Sequence, residues 1–64
     1  MKKIVKFRKK YGLTQAEIAH SLGISRVSYN MKENGKRQFK PIEMLKLYKY
    51  FEKKGIKLDI QEFF

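Results

Sequence analysis

Residues 12–25 read GLTQAEIAHSLGIS, and the fold is decided here. Thr14-Gln15-Ala16-Glu17 has the spacing of a capping box, Thr14 accepting from the amide of Glu17 while Glu17 reaches back to the amide of Thr14, so a helix is predicted to begin at Gln15. Its inner face is expected to be Ala16, Ile18, Ala19 and Leu22. Gly23 ends it, because a left-handed backbone conformation costs glycine little. Ile24 falls in the resulting turn, and Ser25 is a good N-cap for a second short helix from Arg26 to about Glu33, closed by Asn34-Gly35. Ala19 has to be small where the two helices cross, and Ile18, Leu22, Ile24 and Tyr29 fill the space between them.

Glycine and proline punctuate the chain on both sides of this unit. Upstream, a helix is predicted from about Lys2 to Tyr11, with Ile4, Phe7 and Tyr11 on one face and lysines on the other. Downstream, residues 36–40 form a basic loop with one apolar anchor, Phe39. Pro41 suits a first helical position, and Met44, Leu45, Leu47, Tyr48 and Phe51 mark the buried stripe of the longest helix, which ends before Gly55. Beyond it Ile56, Leu58, Ile60, Phe63 and Phe64 are too apolar for a free tail, so 59–63 is predicted to add a last helical turn or two. The expected architecture is an all-α bundle of five short helices, one domain spanning 1–64.

Sixty-four residues leave no room for two cores. With no cysteine and no run of zinc-ligand spacing, neither a disulfide nor a metal supplies stability, and helix packing or a partner subunit has to do so. The formal net charge is +10, and it is one-sided: residues 1–40 hold eleven Lys and Arg against Glu17 and Glu33, while residues 41–64 hold five against four acids. Such a field fits nucleic acid or an anionic membrane surface and argues against a small neutral ligand. Apolar runs are too short for a membrane span or a secretory leader, so a cytoplasmic protein is expected. His20 has no second histidine or cysteine to share a metal, and no nucleophile, base and oxyanion site assemble, so neither enzyme activity nor a cofactor is expected.

Two short helices joined by a tight glycine turn, over about 15–33, make a helix-turn-helix, whose second helix can enter the major groove of DNA. At this point the chain resembles the Cro/repressor-like, XRE-type helix-turn-helix regulators of phages and bacteria. The similar stretches are GLTQAEIAHSLGIS, KENGKR and the terminal LDIQEFF, at compatible spacing. The resemblance implies a lambda-repressor-like five-helix bundle, binding of a double-stranded DNA operator as a homodimer, and no catalysis. Position by position, it implies that Gln15 touches phosphate and buttresses a base-contacting side chain. Arg26, Val27, Asn30 and Met31 would face the groove with Ser25 and Ser28 beside them, and Asn34 would meet phosphate. Arg8 and Glu33 match a family pair that bridges the first helix to the end of the third. Lys32 departs from the pattern, standing where many members have an inward Trp, Ile or Leu, and its stem is expected to pack while the amine snorkels out.

The chemistry of the groove gives these residues roles. A guanidinium can donate twice to guanine, which makes Arg26 the best direct reader, and Val27 and Met31 offer apolar contact suited to thymine methyl groups. Asn30 is left to read adenine or to bind phosphate. Lys36, Arg37 and Lys40, with lysines of the first helix, would neutralise phosphates and set register and salt dependence. Tyr48 is expected in the core and Tyr50 on the surface. Phe63 and Phe64 are the expected dimer contact, with capping of the monomer's own core as the alternative. The rival to a DNA-binding regulator is a protein-interaction module such as an antitoxin or antirepressor built on the same bundle.

Overall fold

The computed structural model describes residues 2–57 and is all-α over them, with no strand among the described residues. Its helices are α1 (Lys2–Lys10), α2 (Gln15–Leu22), α3 (Arg26–Glu33) and α4 (Pro41–Lys53). The turns expected over 59–63, and with them the fifth helix, lie outside the described residues, as do Leu58, Phe63 and Phe64.

Every one of these helices stops in the same way. At the end of α2, Gly23 takes φ +71°, its amide donates to the His20 carbonyl at 3.1 Å, and the amide of Ile24 donates to the Ala19 carbonyl at 3.1 Å. This pair of bonds is the Schellman arrangement, which needs a left-handed residue and is cheapest with glycine. Gly12, Gly35 and Gly55 close the other three ends in the same manner. The residue after each glycine then steers the chain. Leu13 and Ile56 fold back and are buried, and Ile24 is half-buried. After Gly35 the successor is Lys36, whose charged end stays in water, and the chain leaves α3 as an exposed basic loop.

At their starts, α2 and α3 are capped by hydroxyls. Thr14 accepts from the amide of Glu17 at 3.1 Å, and Ser25 from the amide of Ser28 at 3.0 Å. The expected return arm of the first cap is different: the Glu17 carboxylate accepts from the Thr14 hydroxyl at 3.2 Å instead of from its amide. Lys40, at the N-cap of α4, has no side-chain acceptor, and there Glu43 reaches back to accept from the Lys40 amide at 2.8 Å.

The core gathers Ile4 from α1, Ile18, Ala19 and Leu22 from α2, Tyr29 from α3, and Leu47 and Phe51 from α4, with Leu13, Phe39 and Ile56 from the connections. Phe39 pins the basic loop, its ring centroid 6.1 Å from that of Tyr29. Several expected core positions lie elsewhere. Ala16 is exposed, because the inward direction of α2 is set by Ile18 and Leu22 and a 3.6-residue turn carries Ala16 to the flank. Tyr11 is 44% exposed: it sits past the last turn of α1, with the Lys10 ammonium 5.6 Å from its ring centroid. On α4 the inward stripe runs through Glu43, Leu47 and Phe51, which turns Leu45 outward at 44% exposure. The same stripe draws Tyr50 against the core, where a surface role was expected, and leaves Tyr48 on its flank, half-buried.

Two ion pairs hold α3 from beneath. The Arg8 guanidinium of α1 donates from Nε to Glu33 Oε2 at 2.9 Å and from Nη2 to Glu33 Oε1 at 3.0 Å, and Nη1 donates to the Leu13 carbonyl at 3.2 Å. Lys32 does not snorkel to solvent. It is 6% exposed, and its amine donates to both oxygens of Glu43 on α4, Oε2 at 2.6 Å. A buried ammonium needs such a partner, and Glu43, itself 5% exposed, supplies it while capping α4. The Tyr29 hydroxyl is also buried, without a hydrogen bond of ordinary geometry. Burial and then the nearby Glu33 carboxylate push its pKa above the tyrosine range.

Breaking the Lys32–Glu43 pair on one side strands a buried polar group. Lys32→Met is expected to cost about 1–3 kcal/mol of unfolding free energy in urea titration. Adding Glu43→Gln, which removes the charge but keeps an acceptor for the Lys40 amide, is expected to recover much of that loss. A single variant as stable as the parent would show that the pair contributes nothing.

Acid is expected to loosen the same ties. Burial alone would push Glu33 up, but the bonds from Arg8 and Gln15 outweigh it and hold its carboxyl below the usual range. For Glu43, burial is likewise outweighed by Lys32 and the Lys40 amide. Both groups therefore bind protons more weakly folded than unfolded. Their stabilisation is whole above the unfolded glutamate pKa of about 4.3 and is lost as pH falls through the lower folded-state values. Urea midpoints should hold between about pH 7 and pH 5.5 and drop below about pH 4, with a shallower drop in Glu43→Gln. A midpoint that stays level to about pH 3 contradicts this.

Candidate nucleic-acid interface

An eight-residue helix that buries Tyr29, Lys32 and Glu33, at i, i+3 and i+4, must turn its other face outward. Val27 is accordingly 61% exposed. Arg26 and Ser25 are exposed beside it, and Ser28, Asn30 and Met31 are half-buried along the same rim. Val27 and Met31, four residues apart, are neighbours on the helix surface. The Ser25 oxygen is occupied in capping α3, which leaves its O–H to donate elsewhere.

A chain of side-chain hydrogen bonds runs from the buried ion pair to this face. Gln15, half-buried at the first turn of α2, donates from Nε2 to Glu33 Oε1 at 3.1 Å. Its Oε1 accepts from Asn30 Nδ2 at 3.3 Å. Asn30 Oδ1 in turn accepts from Asn34 Nδ2 at 3.1 Å, across one turn at the end of α3. Arg8, Glu33, Gln15, Asn30 and Asn34 thus form one connected set that spans α1, α2 and α3. The hydrogen bond to Glu33 makes the Arg8 guanidinium harder still to deprotonate and outweighs burial, which acts the other way.

The electrostatics are one-signed. Between Ser25 and Met44 the chain has two acids, Glu33 and Glu43, and both are buried and ion-paired. Arg26, Lys36, Arg37 and Lys40 over the same interval are exposed. The outer surface of α3 and its following loop therefore carries cations without a compensating anion among the described residues, beside exposed apolar and amide groups. Such a surface can attract a polyanion and offer it phosphate contacts, donors and methyl-sized contacts together.

The structure brings Gln15, Ser25, Arg26, Val27, Ser28, Asn30, Met31 and Asn34 to one region of α3 and the start of α2, with Lys36 and Arg37 in the loop that leaves it. Lys40 lies farther along, at the start of α4. Sequence reasoning did not anticipate Glu43 as the partner of Lys32, nor the bond between Asn30 and Asn34. The second had a signal in the i, i+4 spacing of two amides on a helix. Among the described residues no helix is long and apolar enough to cross a membrane.

No curated protein and no solved structure matches the chain. A family model described as helix-turn-helix matches residues 4–58, which takes in all of α2, the Gly23 turn and α3 together with the packing elements on either side. The chain is a member of the Cro/repressor-like, XRE-type helix-turn-helix family.

Proposed function

We propose that this chain is a sequence-specific double-stranded DNA-binding protein that lays α3 in the major groove and acts as a transcriptional regulator, of the repressor or Cro-like kind carried by phages, prophages or plasmids. The observation that carries this is the cationic outer surface around an exposed α3 face, with Glu33 and Glu43 buried beneath it. Its setting is cytoplasmic, in a bacterial cell or an infected host, and the chain is one helix-turn-helix domain without catalytic activity or cofactor.

In this reading Arg26 donates to a guanine edge, Val27 and Met31 meet thymine methyl groups, and Ser25 and Asn30 complete the base contacts. Gln15, Ser28, Asn34, Lys36, Arg37 and Lys40 hold phosphates and set register. A helix this short reads few base pairs, so useful specificity comes from a homodimer on half-sites about one helical turn (~34 Å) apart. Phe63 and Phe64 are the proposed dimer contact. The rival, a protein-interaction module such as an antitoxin or antirepressor, draws support from Ile42 and Leu45, 55% and 44% exposed on the outer side of α4. Gel-shift titration on random-sequence duplex at two salt concentrations separates the two: a regulator binds and weakens with salt, while a protein-gripping module does not bind at micromolar concentration.

Once selection from a random library has supplied the preferred site, two variants divide the roles. Arg26→Ala is expected to weaken binding to that site by roughly 1–3 kcal/mol more than binding to random DNA. Lys36→Ala is expected to weaken both alike and to lower the salt slope by about one. Equal losses on both DNAs for Arg26→Ala would show that it touches phosphate only.

A further inference from the structure

Asparagine is an ambiguous reader when it is free. Its amide presents a donor and an acceptor side by side, and a half-turn about the last side-chain bond exchanges them at little cost. An asparagine that discriminates one base edge from another must be held in one of the two orientations. The chain of bonds behind Asn30 does this, and its polarity is dictated by chemistry from its buried end.

Glu33 receives the Arg8 guanidinium on both oxygens, and a carboxylate so held can only accept hydrogen bonds. The Gln15 group that faces it must therefore be the NH2, as found at 3.1 Å. That leaves the Gln15 carbonyl oxygen facing Asn30, one turn back along α3, where only a donor can meet it, and Asn30 turns its Nδ2 that way at 3.3 Å. Asn30 Oδ1 is then left facing the end of α3, where the Asn34 amide donates to it at 3.1 Å. Each amide still has one N–H or one lone pair free to face outward. The order in which Asn30 offers them, donor toward α2 and acceptor toward Asn34, is set by a carboxylate two links away.

We propose that Glu33 is a positioning residue for recognition: through Gln15 it locks the Asn30 amide in one orientation and so fixes the order of donor and acceptor that Asn30 turns toward a base. The part concerning bases rests on the DNA-binding function proposed above, whereas the locked amide does not. Glu33→Gln removes the one-way link, since glutamine can offer either its carbonyl or its NH2 to Gln15, and both polarities of the chain become satisfiable. Gln15→Leu cuts the same chain while leaving the Arg8–Glu33 pair in place, which keeps the test usable should Glu33→Gln unfold.

The first measurement uses the free, isotope-labelled protein in solution. In the parent, nuclear Overhauser contacts from the Asn30 amide protons should go to the Gln15 side chain, and those from the Asn34 amide protons to Asn30. In a folded Glu33→Gln, and in Gln15→Leu, the Asn30 amide should sample both orientations and gain contacts to Asn34. Asn30 amide protons directed at Asn34 in the parent, or an orientation unmoved by both variants, overturns the proposal without reference to DNA. The second measurement selects bound sequences from a random library with the parent and the two variants. Preference at the base pair faced by Asn30 should fall roughly five- to tenfold while preferences at the other positions persist. A loosened amide with unchanged preference at every position overturns the role in specificity.

Discussion

Eight residues of helix do not hold their shape in water, because the cost of nucleating the first turn is not recovered over so short a length. The outer face of α3 therefore exists only as long as its inner face is gripped. Three side chains take the grip: Tyr29 in the apolar centre, Glu33 by Arg8 of α1, and Lys32 by Glu43 of α4. Each comes from a different quarter of the fold, so α3 is fixed in rotation as well as in position. Val27, opposite to these three, is therefore outside, with Met31 half-buried one turn on.

The same grip disposes the charge. Inside, both carboxylates of the α3 to α4 region are consumed in pairs with cations. Outside, Arg26 and the basic residues of the loop meet no anion among the described residues. A strongly positive chain can thus fold without self-repulsion concentrated in the core, yet still keep an unbalanced positive surface for a partner. Lys36 contributes twice, by position as the polar residue after Gly35 that turns the chain outward, and by charge once it is there.

Much of this was legible in the sequence. The ends of α1 to α4 follow from four glycines whose amides close them, and the starts of α2 and α3 from hydroxyl caps, all of which are local signals that need no tertiary context. Tyr29 inward and Val27 outward were legible from the period of α3. Glu43 was not, because a charged residue does not register as part of an apolar stripe, and leaving it out shifted the reading of α4 toward Leu45 and Tyr48. Lys32 was misjudged for the same reason: its partner lies on another helix and is visible only once α3 and α4 are packed. The bonds from Glu33 to Gln15 and from Gln15 to Asn30 likewise join separate helices, and spacing along the chain carries no mark of them.

The face of α3 opposite Tyr29, Lys32 and Glu33 is, on this account, the surface that meets DNA. Backbone amide shifts followed by NMR, as a short duplex carrying the selected site is added to labelled protein, test it residue by residue. The account predicts that the largest changes fall on Gln15, on Ser25 to Met31 and on Asn34 to Arg37, with α1 and the second half of α4 nearly still. Changes centred instead on the lysines of α1, or on Ile42 to Lys53, with α3 undisturbed, would contradict it.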